Sequence, residues 1–163
     1  MAHLEWSDAL SLDLPLMDDT HREFVDLLAL AQGAPDDQLQ ACWLRLIEHT
    51  DAHFGQEDRW MQATRFASSN CHSMQHKVVL QVMREGALQA AAGDLVSLRA
   101  MAGELALWFP AHAQSMDAAL ALHLRRAGYD PVTGEMHHPD ALPANSIHGC
   151  GGSSCSDAVP VPA

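Results

Sequence analysis

Two histidines, His72 and His76, stand four positions apart in the chain. On a helix this spacing puts both imidazoles on one face, a turn apart, where they could bind one metal ion. The spacing recurs upstream as His53 and Glu57, where the second partner is a carboxylate. A single pair of this kind more often lies on the protein surface without binding metal, so neither pair alone would support a function.

Three further residues of the same types extend this pattern to four helix-like stretches. Imidazoles and carboxylates together suit iron, manganese or zinc. Seven ligands are more than one ion can use, so the set predicts two metal ions bridged by the two carboxylates. Asp117 is the least predictable member, because five residues after His112 is about 140° around a regular helix. The candidate ligands are His21, His53, Glu57, His72, His76, His112 and Asp117.

On these residues the chain resembles the hemerythrins, and in particular their single-domain bacterial form. The resemblance rests on His53-x-x-x-Glu57, on His72-x-x-x-His76, on His112-x-x-x-x-Asp117 and on His21 upstream. Three aromatic residues also fit the family pattern: Trp6, Phe54 and Trp108. It covers roughly residues 4–125 and fills every ligand position of the family. Only this resemblance supports Asp117 as a ligand, because the family has the same five-residue spacing after the last histidine.

The resemblance implies a non-haem di-iron centre (Fe²⁺/Fe³⁺) with a bridging hydroxide. One iron would be held by His72, His76 and His112, the other by His21 and His53, and Glu57 and Asp117 would bridge them. The two-histidine iron is then one ligand short, and dioxygen would bind there reversibly, for carriage, storage or sensing. Four apolar residues are candidates for an oxygen pocket, although core packing explains them equally well: Phe24, Phe54, Met61 and Trp108.

An enzyme is the alternative: a di-iron oxidase, a peroxidase or a nitric-oxide-handling protein. Ferritin-like di-iron oxidases use two Glu-x-x-His motifs, and the predicted helices contain none. A zinc protease is disfavoured because neither His72 to His76 nor His49 to His53 has the glutamate of His-Glu-x-x-His. A bundle with incidental histidines would hold no stoichiometric iron. We therefore expect a binding protein and not an enzyme.

Hydrophobic periodicity and helix stop signals predict an all-α protein, an antiparallel up-down-up-down four-helix bundle. The predicted helices run from about Asp19 to Gln32, from Asp36 to Ala63, from Cys71 to Ala92 and from Asp94 to Arg126. Asp18 to Thr20 would cap the first helix. Alternating leucines in residues 1–17 predict an extended N-terminal arm, and Pro110 predicts a kink before His112.

The chain is predicted to divide into a bundle at residues 1–128 and a Pro/Gly/Ser-rich tail at 129–163. The tail has almost no apolar periodicity and should be disordered. Val79 stands where the family commonly has phenylalanine, so the shape of the family's oxygen pocket cannot be carried over to this chain. Histidines outside the ligand set, such as His49 and His123, are expected to face solvent or, for His49, to support a ligand.

Charge and composition narrow the possible partners and location. The net charge of −12 argues against binding to nucleic acid or to anionic membranes. No apolar run approaches the ~20 residues that span a bilayer, and the N-terminus does not have the pattern of a secretory signal. A cytoplasmic location follows, and with it four cysteines expected as thiols. The oligomeric state is left open.

Overall fold

The computed structural model describes residues 3–66 and 71–146, and this part of the chain is helical. The fourth helix is interrupted by a short π-helical turn, so that it consists of two helices around that turn. The elements are α1 (Pro15–Gly33), α2 (Asp36–Ala63), α3 (Cys71–Ala91), α4 (Leu95–His112), the π turn (Ala113–Asp117) and α5 (Ala118–Ala127). Short 3-10 turns lie at Asp8–Leu10 and Pro139–Ala141, and no strand forms within the described ranges.

The helices pack in a closed four-membered ring. α1 packs against α2 and α4, and α3 packs against the same two helices. Because consecutive helices are joined by short connections and pack side by side, they run antiparallel. The predicted all-α four-helix bundle is confirmed.

α1 begins a turn earlier than the predicted start at Asp19. Pro15 occupies the first turn, where its missing N–H costs no helical hydrogen bond. Asp18 does not cap the helix but anchors the N-terminal arm: Ser11 Oγ donates to it over 2.7 Å and Leu12 N–H over 2.8 Å. The predicted cap at Asp18 to Thr20 is therefore wrong, since a tertiary contact takes this buried carboxylate.

The last helical rod of the bundle comprises α4, the π turn and α5, and the π turn lies directly after His112. The N–H of Ala118 donates to the carbonyl of Ala113, five residues earlier, where an α-helix would bond four residues earlier. Pro110 lies three residues before the turn, inside α4. Gly128 ends the rod in the left-handed conformation at φ 58°, as the glycine after Arg125 and Arg126 predicts.

Two apolar clusters fill the bundle, and the candidate metal ligands separate them. Trp43, Leu28 and Phe109 belong to one cluster, and Met17, Met61 and Leu120 to the other. Along α1, α2 and the last rod, the ligands fall between residues of the first cluster and residues of the second. The polar layer is thus enclosed by apolar side chains at both ends.

The segments flanking the helices pack back onto the bundle. In the arm, Trp6 lies against Arg22, with the guanidinium carbon 4.5 Å from the ring centroid. After α5 the chain turns, and His137 and His138 donate backbone hydrogen bonds to the carbonyls of Gly128 and Ala127. The predicted disordered tail thus includes residues 129–146 with defined contacts to α5, while residues 147–163 lie outside the described residues.

The two cysteines within the described ranges differ in state. Cys42 is free and half-buried against the first apolar cluster. Cys71, the first residue of α3, is disulfide-bonded, which contradicts the expectation that it is a thiol. That expectation was derived from the predicted compartment and not from the geometry of the thiols. Within the described residues no helix is both long and apolar enough to cross a membrane.

Candidate metal centre

All seven candidate ligands project into the layer between the apolar clusters. α1 contributes one of them, α2 and α3 two each, and the last rod the remaining two. Each is buried, with at most 4% of its surface exposed. The four helices therefore bring together, from positions 96 residues apart in the chain, the side chains His21, His53, Glu57, His72, His76, His112 and Asp117.

The ligand atoms fall into two groups that share both carboxylates. The three-histidine group comprises His72, His76 and His112 with Glu57 and Asp117, and its ligand atoms lie within 4.8 Å of one another. The two-histidine group, under the same limit, comprises His21 and His53 with the same carboxylates. Each group has the donors and the spacing to hold one ion.

Glu57 spans the two groups with its two oxygens. Oε1 lies 2.9 Å from Nε2 of His53 and 3.7 Å from Nε2 of His21. Oε2 lies 3.3 Å from Nε2 of His72 and 3.4 Å from Nε2 of His76. Oε1 therefore faces the two-histidine group and Oε2 the three-histidine group, which is the arrangement of a bridging carboxylate.

Asp117 makes the same division from the opposite side. Its Oδ2 lies 3.2 Å from Nε2 of His21, whereas its Oδ1 lies 2.9 Å from Nε2 of His72 and 3.1 Å from Nε2 of His112. Two carboxylates on different helices thus offer two bridges between the same pair of positions.

The π turn explains why Asp117 reaches this place. On a regular α-helix its side chain would point about 140° away from that of His112. The wider turn between them brings both side chains into the bundle interior. π turns inside α-helices are rare and often occur at functional sites.

Several of these atoms are buried without a hydrogen-bond partner among the described residues. They include Nε2 of His21, His72, His76 and His112, and both oxygens of Asp117. Such orphaned atoms are costly unless something binds them. Imidazole nitrogens and carboxylate oxygens converging on two points fit a pair of first-row transition-metal ions. The residues present therefore fit the group that the sequence pattern predicts.

Two polar residues outside the ligand set orient ligands of the three-histidine group. Nδ1 of His76 lies 3.1 Å from Oδ1 of Asp58, and Nδ1 of His112 lies 3.1 Å from Oε1 of Gln75. An oxygen acceptor keeps the proton on Nδ1 and leaves the lone pair of Nε2 facing the centre. Neither Asp58 nor Gln75 was predicted from the sequence, and their positions next to Glu57 and His76 are the only signal that could have indicated them.

The other three ligand histidines have no such support: Nδ1 of His21, His53 and His72 is buried without a hydrogen-bond partner in the described ranges. The two groups thus differ in ligand number and in the hydrogen bonds behind the ligands. Among the described residues, a carboxylate and an amide support ligands of the three-histidine group and none of the two-histidine group.

Without metal, the cluster binds protons instead. Burial opposes charging of His21 and His72, but the carboxylates of Asp117 and Glu57 next to their Nε2 atoms outweigh it and raise the pKa of each histidine to about 9. The pKa of His76 is also raised, since Asp58 and Glu57 outweigh its burial. Burial acts to raise the pKa of Glu57 and Asp117, yet the surrounding histidines hold both well below the usual range. Metal and protons therefore compete for the same atoms.

The predicted oxygen-pocket residues lie around the ligands in different places. Phe54 stacks on His76 with 3.9 Å between ring centroids, and Trp108 stacks on His112 at 4.5 Å. Both therefore lie against the three-histidine group. Phe24 stacks on Phe109, whose ring meets the edge of His21 at 5.2 Å.

Met61 belongs to the second apolar cluster. Phe109, which touches a ligand directly, was not among the predicted residues. The oxygen-pocket role of Phe24, Phe54, Met61 and Trp108 stays a prediction.

A cavity of about 170 Å³ adjoins the two-histidine group between α1 and α2. Its walls include polar side chains and none of the four predicted pocket residues. The lining of this α1–α2 cavity is Met17, Thr20, Glu23, His49, Ala52, His53, Gln56, Glu57 and Trp60.

Two histidines outside the ligand set make defined contacts. His49 Nε2 lies 3.1 Å from the carbonyl oxygen of Thr20, and 15% of its side chain is exposed. His123 Nε2 lies 2.9 Å from the carbonyl oxygen of Thr64, and its ring packs against Phe66. Both therefore link helix ends or neighbouring helices, and the expectation that His123 is solvated is wrong.

Comparison with known proteins identifies the same pattern. A family model described as the hemerythrin HHE cation binding domain matches residues 12–122. The chain is 34% identical over 130 residues to a bacteriohemerythrin of Ralstonia nicotianae, covering 80% of this chain and 95% of that protein. It is 28% identical over 127 residues to a bacteriohemerythrin of Stenotrophomonas maltophilia, covering 74% and 81% of the two chains. No solved structure matches significantly.

Proposed function

Because the chain belongs to the hemerythrin family, we propose that its seven clustered side chains hold two iron ions and that the protein binds dioxygen reversibly. The observation that carries this proposal is the division of each carboxylate between the two groups. Glu57 and Asp117 each direct one oxygen to the three-histidine group and the other to the two-histidine group. A site for a single ion would not need that division.

In this proposal His72, His76 and His112 would hold one iron, and His21 and His53 would hold the other. Glu57 and Asp117 would be shared by both groups, and a hydroxide is expected with them. When bound, the irons would supply two electrons and one open coordination position, which is the chemistry that reversible dioxygen binding requires. The two-histidine group would provide that position, because it has one ligand fewer.

The protein's own residues would keep this chemistry reversible. The apolar clusters on both sides of the ligand layer restrict water, which would otherwise promote loss of the bound gas as a reduced product. Asp58 and Gln75 hold two imidazoles of the three-histidine group with their Nε2 atoms facing inward. The ligand set is rich in histidine and contains two carboxylates, a balance that favours holding a ligand over activating it.

The alternative is an oxidase, a peroxidase or a nitric-oxide-handling enzyme that uses the same centre. The polar walls of the α1–α2 cavity favour this alternative, since water or a small second substrate can approach His53 and Glu57 there. A cytoplasmic location stays a prediction, as does each of the roles in carriage, storage and sensing.

The net charge of −12 argues against a nucleic-acid partner, because binding to nucleic acid requires a basic surface.

One experiment separates these readings. Iron-loaded protein is reduced without air, and its visible spectrum is recorded before air, in air and after argon. We expect a charge-transfer band that appears in air, disappears under argon and returns over several cycles, with about two irons per chain by metal analysis. Immediate irreversible conversion to the ferric spectrum would favour the enzyme reading, and absence of stoichiometric iron would exclude both.

A further inference from the structure

The α1–α2 cavity reaches the centre at the group that has fewer ligands. Of the seven candidate ligands, only His53 and Glu57 line it. His53 is also the most exposed of the seven, at 4% of its surface. The cavity therefore opens onto the two-histidine group and not onto the three-histidine group.

Two other cavities do not offer an equivalent approach. A groove of about 550 Å³ between α2 and α3 includes His76 and Asp58 in its walls. Asp58 accepts a hydrogen bond from Nδ1 of His76, and it lines the groove together with that histidine. The groove therefore adjoins the Nδ1 side of the His76 ring and not Nε2, which faces the centre. A third cavity, of about 190 Å³ between α3 and α4, has Val79 and Trp108 in its walls and none of the seven ligands.

His49, in the wall of the α1–α2 cavity, links the two helices by a hydrogen bond. It lies on α2 one turn before His53, and its Nε2 donates to the carbonyl of Thr20, the residue before His21 on α1. Its Nδ1 lies 3.6 Å from the carboxylate of Glu23, whose side chain is 70% exposed. These contacts of His49 join α1 and α2 next to His21 and His53, the histidines of the two-histidine group. Rotation of the His49 side chain would break the contacts without moving either helix.

The size and lining of the cavity suit a small neutral ligand. A volume of about 170 Å³ corresponds to roughly five or six water molecules at about 30 Å³ each. A ligand of two or three heavy atoms fits, whereas an organic substrate the size of an amino acid would fill the space. Glu23, at the solvent side, places a negative charge at the mouth of the passage, which disfavours anions relative to neutral gases.

We propose that the α1–α2 cavity is the access route by which small ligands reach the two-histidine group, and that His49 is the residue that gates it. The proposal rests on the proposed function, since it assigns the open position to that group. It adds a route, a gating residue and a preference for neutral diatomic molecules over anions. His49 is a positioning residue here, because it acts on access and not on the bound ligand.

The first test needs no iron and uses water as the probe. Metal-free protein is incubated in D₂O, and exchange of the imidazole Cε1 proton of each histidine is followed by peptide mass spectrometry. Ala52→Trp places a bulky ring in the cavity wall and should slow exchange at His53 at least several-fold. Gln81→Trp, in the groove between α2 and α3, is the matched control and should leave exchange at His53 unchanged. Equal exchange at His53 in all three proteins would overturn the proposed route.

The second test uses iron-loaded ferric protein and azide as the probe. Stopped-flow spectra should show azide binding about tenfold slower in Ala52→Trp and faster in His49→Ala, with the equilibrium constant changed less than the rate. Glu23→Gln should accelerate azide, an anion, but not dioxygen binding to the reduced protein. Unchanged rates in Ala52→Trp and His49→Ala would refute the gate. A complete lack of azide binding in the unsubstituted protein would instead count against the proposed di-iron function.

Discussion

The stability of the metal-free protein should fall as the pH rises from 6.5 to 9. His21 and His72 have a pKa of about 9 in the fold, against 6.5 for an ordinary histidine. A group whose pKa is raised by folding stabilises the fold fully below its unfolded value and loses that contribution as the pH passes through the folded value. The loss therefore falls between pH 6.5 and 9, and not below it.

The expected size of the effect follows from the same values. A rise in pKa from 6.5 to about 9 corresponds to about 3 kcal/mol for one histidine. The two histidines share the carboxylates of Glu57 and Asp117, so their contributions should not add in full, and we expect a loss of about 3–6 kcal/mol. Domains of this size are typically stable by about 5–15 kcal/mol, so the loss would be a large fraction of the total.

Urea unfolding of chelator-treated protein at pH 6, 7.5 and 9 measures this effect. His72→Gln, which cannot be protonated, should reduce the decline by roughly half. His49→Gln is the matched control, because the pKa of His49 is lowered by its burial and removing it should not reduce the decline. A free energy of unfolding that is constant or increases between pH 6.5 and 9 would refute the protonated-cluster reasoning.

The acid side of the same profile has the opposite sign. The pKa values of Glu57 and Asp117 are held low by the surrounding histidines, so their stabilising effect is present above pH 4 or so and is lost as the pH falls further. The metal-free protein should be most stable between about pH 4.5 and 6.5. Iron loading should shift this optimum upward, because the ions displace the protons.

Three further outcomes are expected. Asp58→Asn should weaken iron binding about 10- to 100-fold, by chelator competition, because the carboxylate behind a ligand histidine is lost; Asp51→Asn, on the exposed side of the same helix, should not. His112→Ala should lower iron content well below two per chain, and full retention would contradict the ligand assignment. Gly55→Ala should raise the thermal midpoint through helix propensity of about 0.5–1 kcal/mol, whereas Gly86→Ala should raise it less, because the end of the Met101 side chain, 2.6 Å from the new Cβ, must shift.

The sequence by itself determined the parts of this protein that depend on local spacing. The pairs His53/Glu57 and His72/His76 follow the helical period, so one face of each helix was known before any contact was seen. The bounds of α2 agree with prediction at both ends, because Pro35 just precedes it and the apolar period runs unbroken to Ala63. These features need only neighbours within one or two turns.

The tertiary structure decided what depends on distant residues. The π turn between His112 and Asp117 has no local signature, and without it the five-residue spacing would direct the two side chains apart. The division of each carboxylate between two groups requires four helices to meet in one register. The polar walls of the α1–α2 cavity arise where side chains from two helices face each other.

The start of α1 shows the same limit. A capping motif at Asp18 to Thr20 was visible in the sequence, but the arm binds Asp18 and the helix begins at Pro15. Local propensity favours a cap there by about 1 kcal/mol, and two hydrogen bonds from a segment six and seven residues away outweigh it. Local patterns therefore identified which residues could bind metal, and only long-range packing determined how those residues meet.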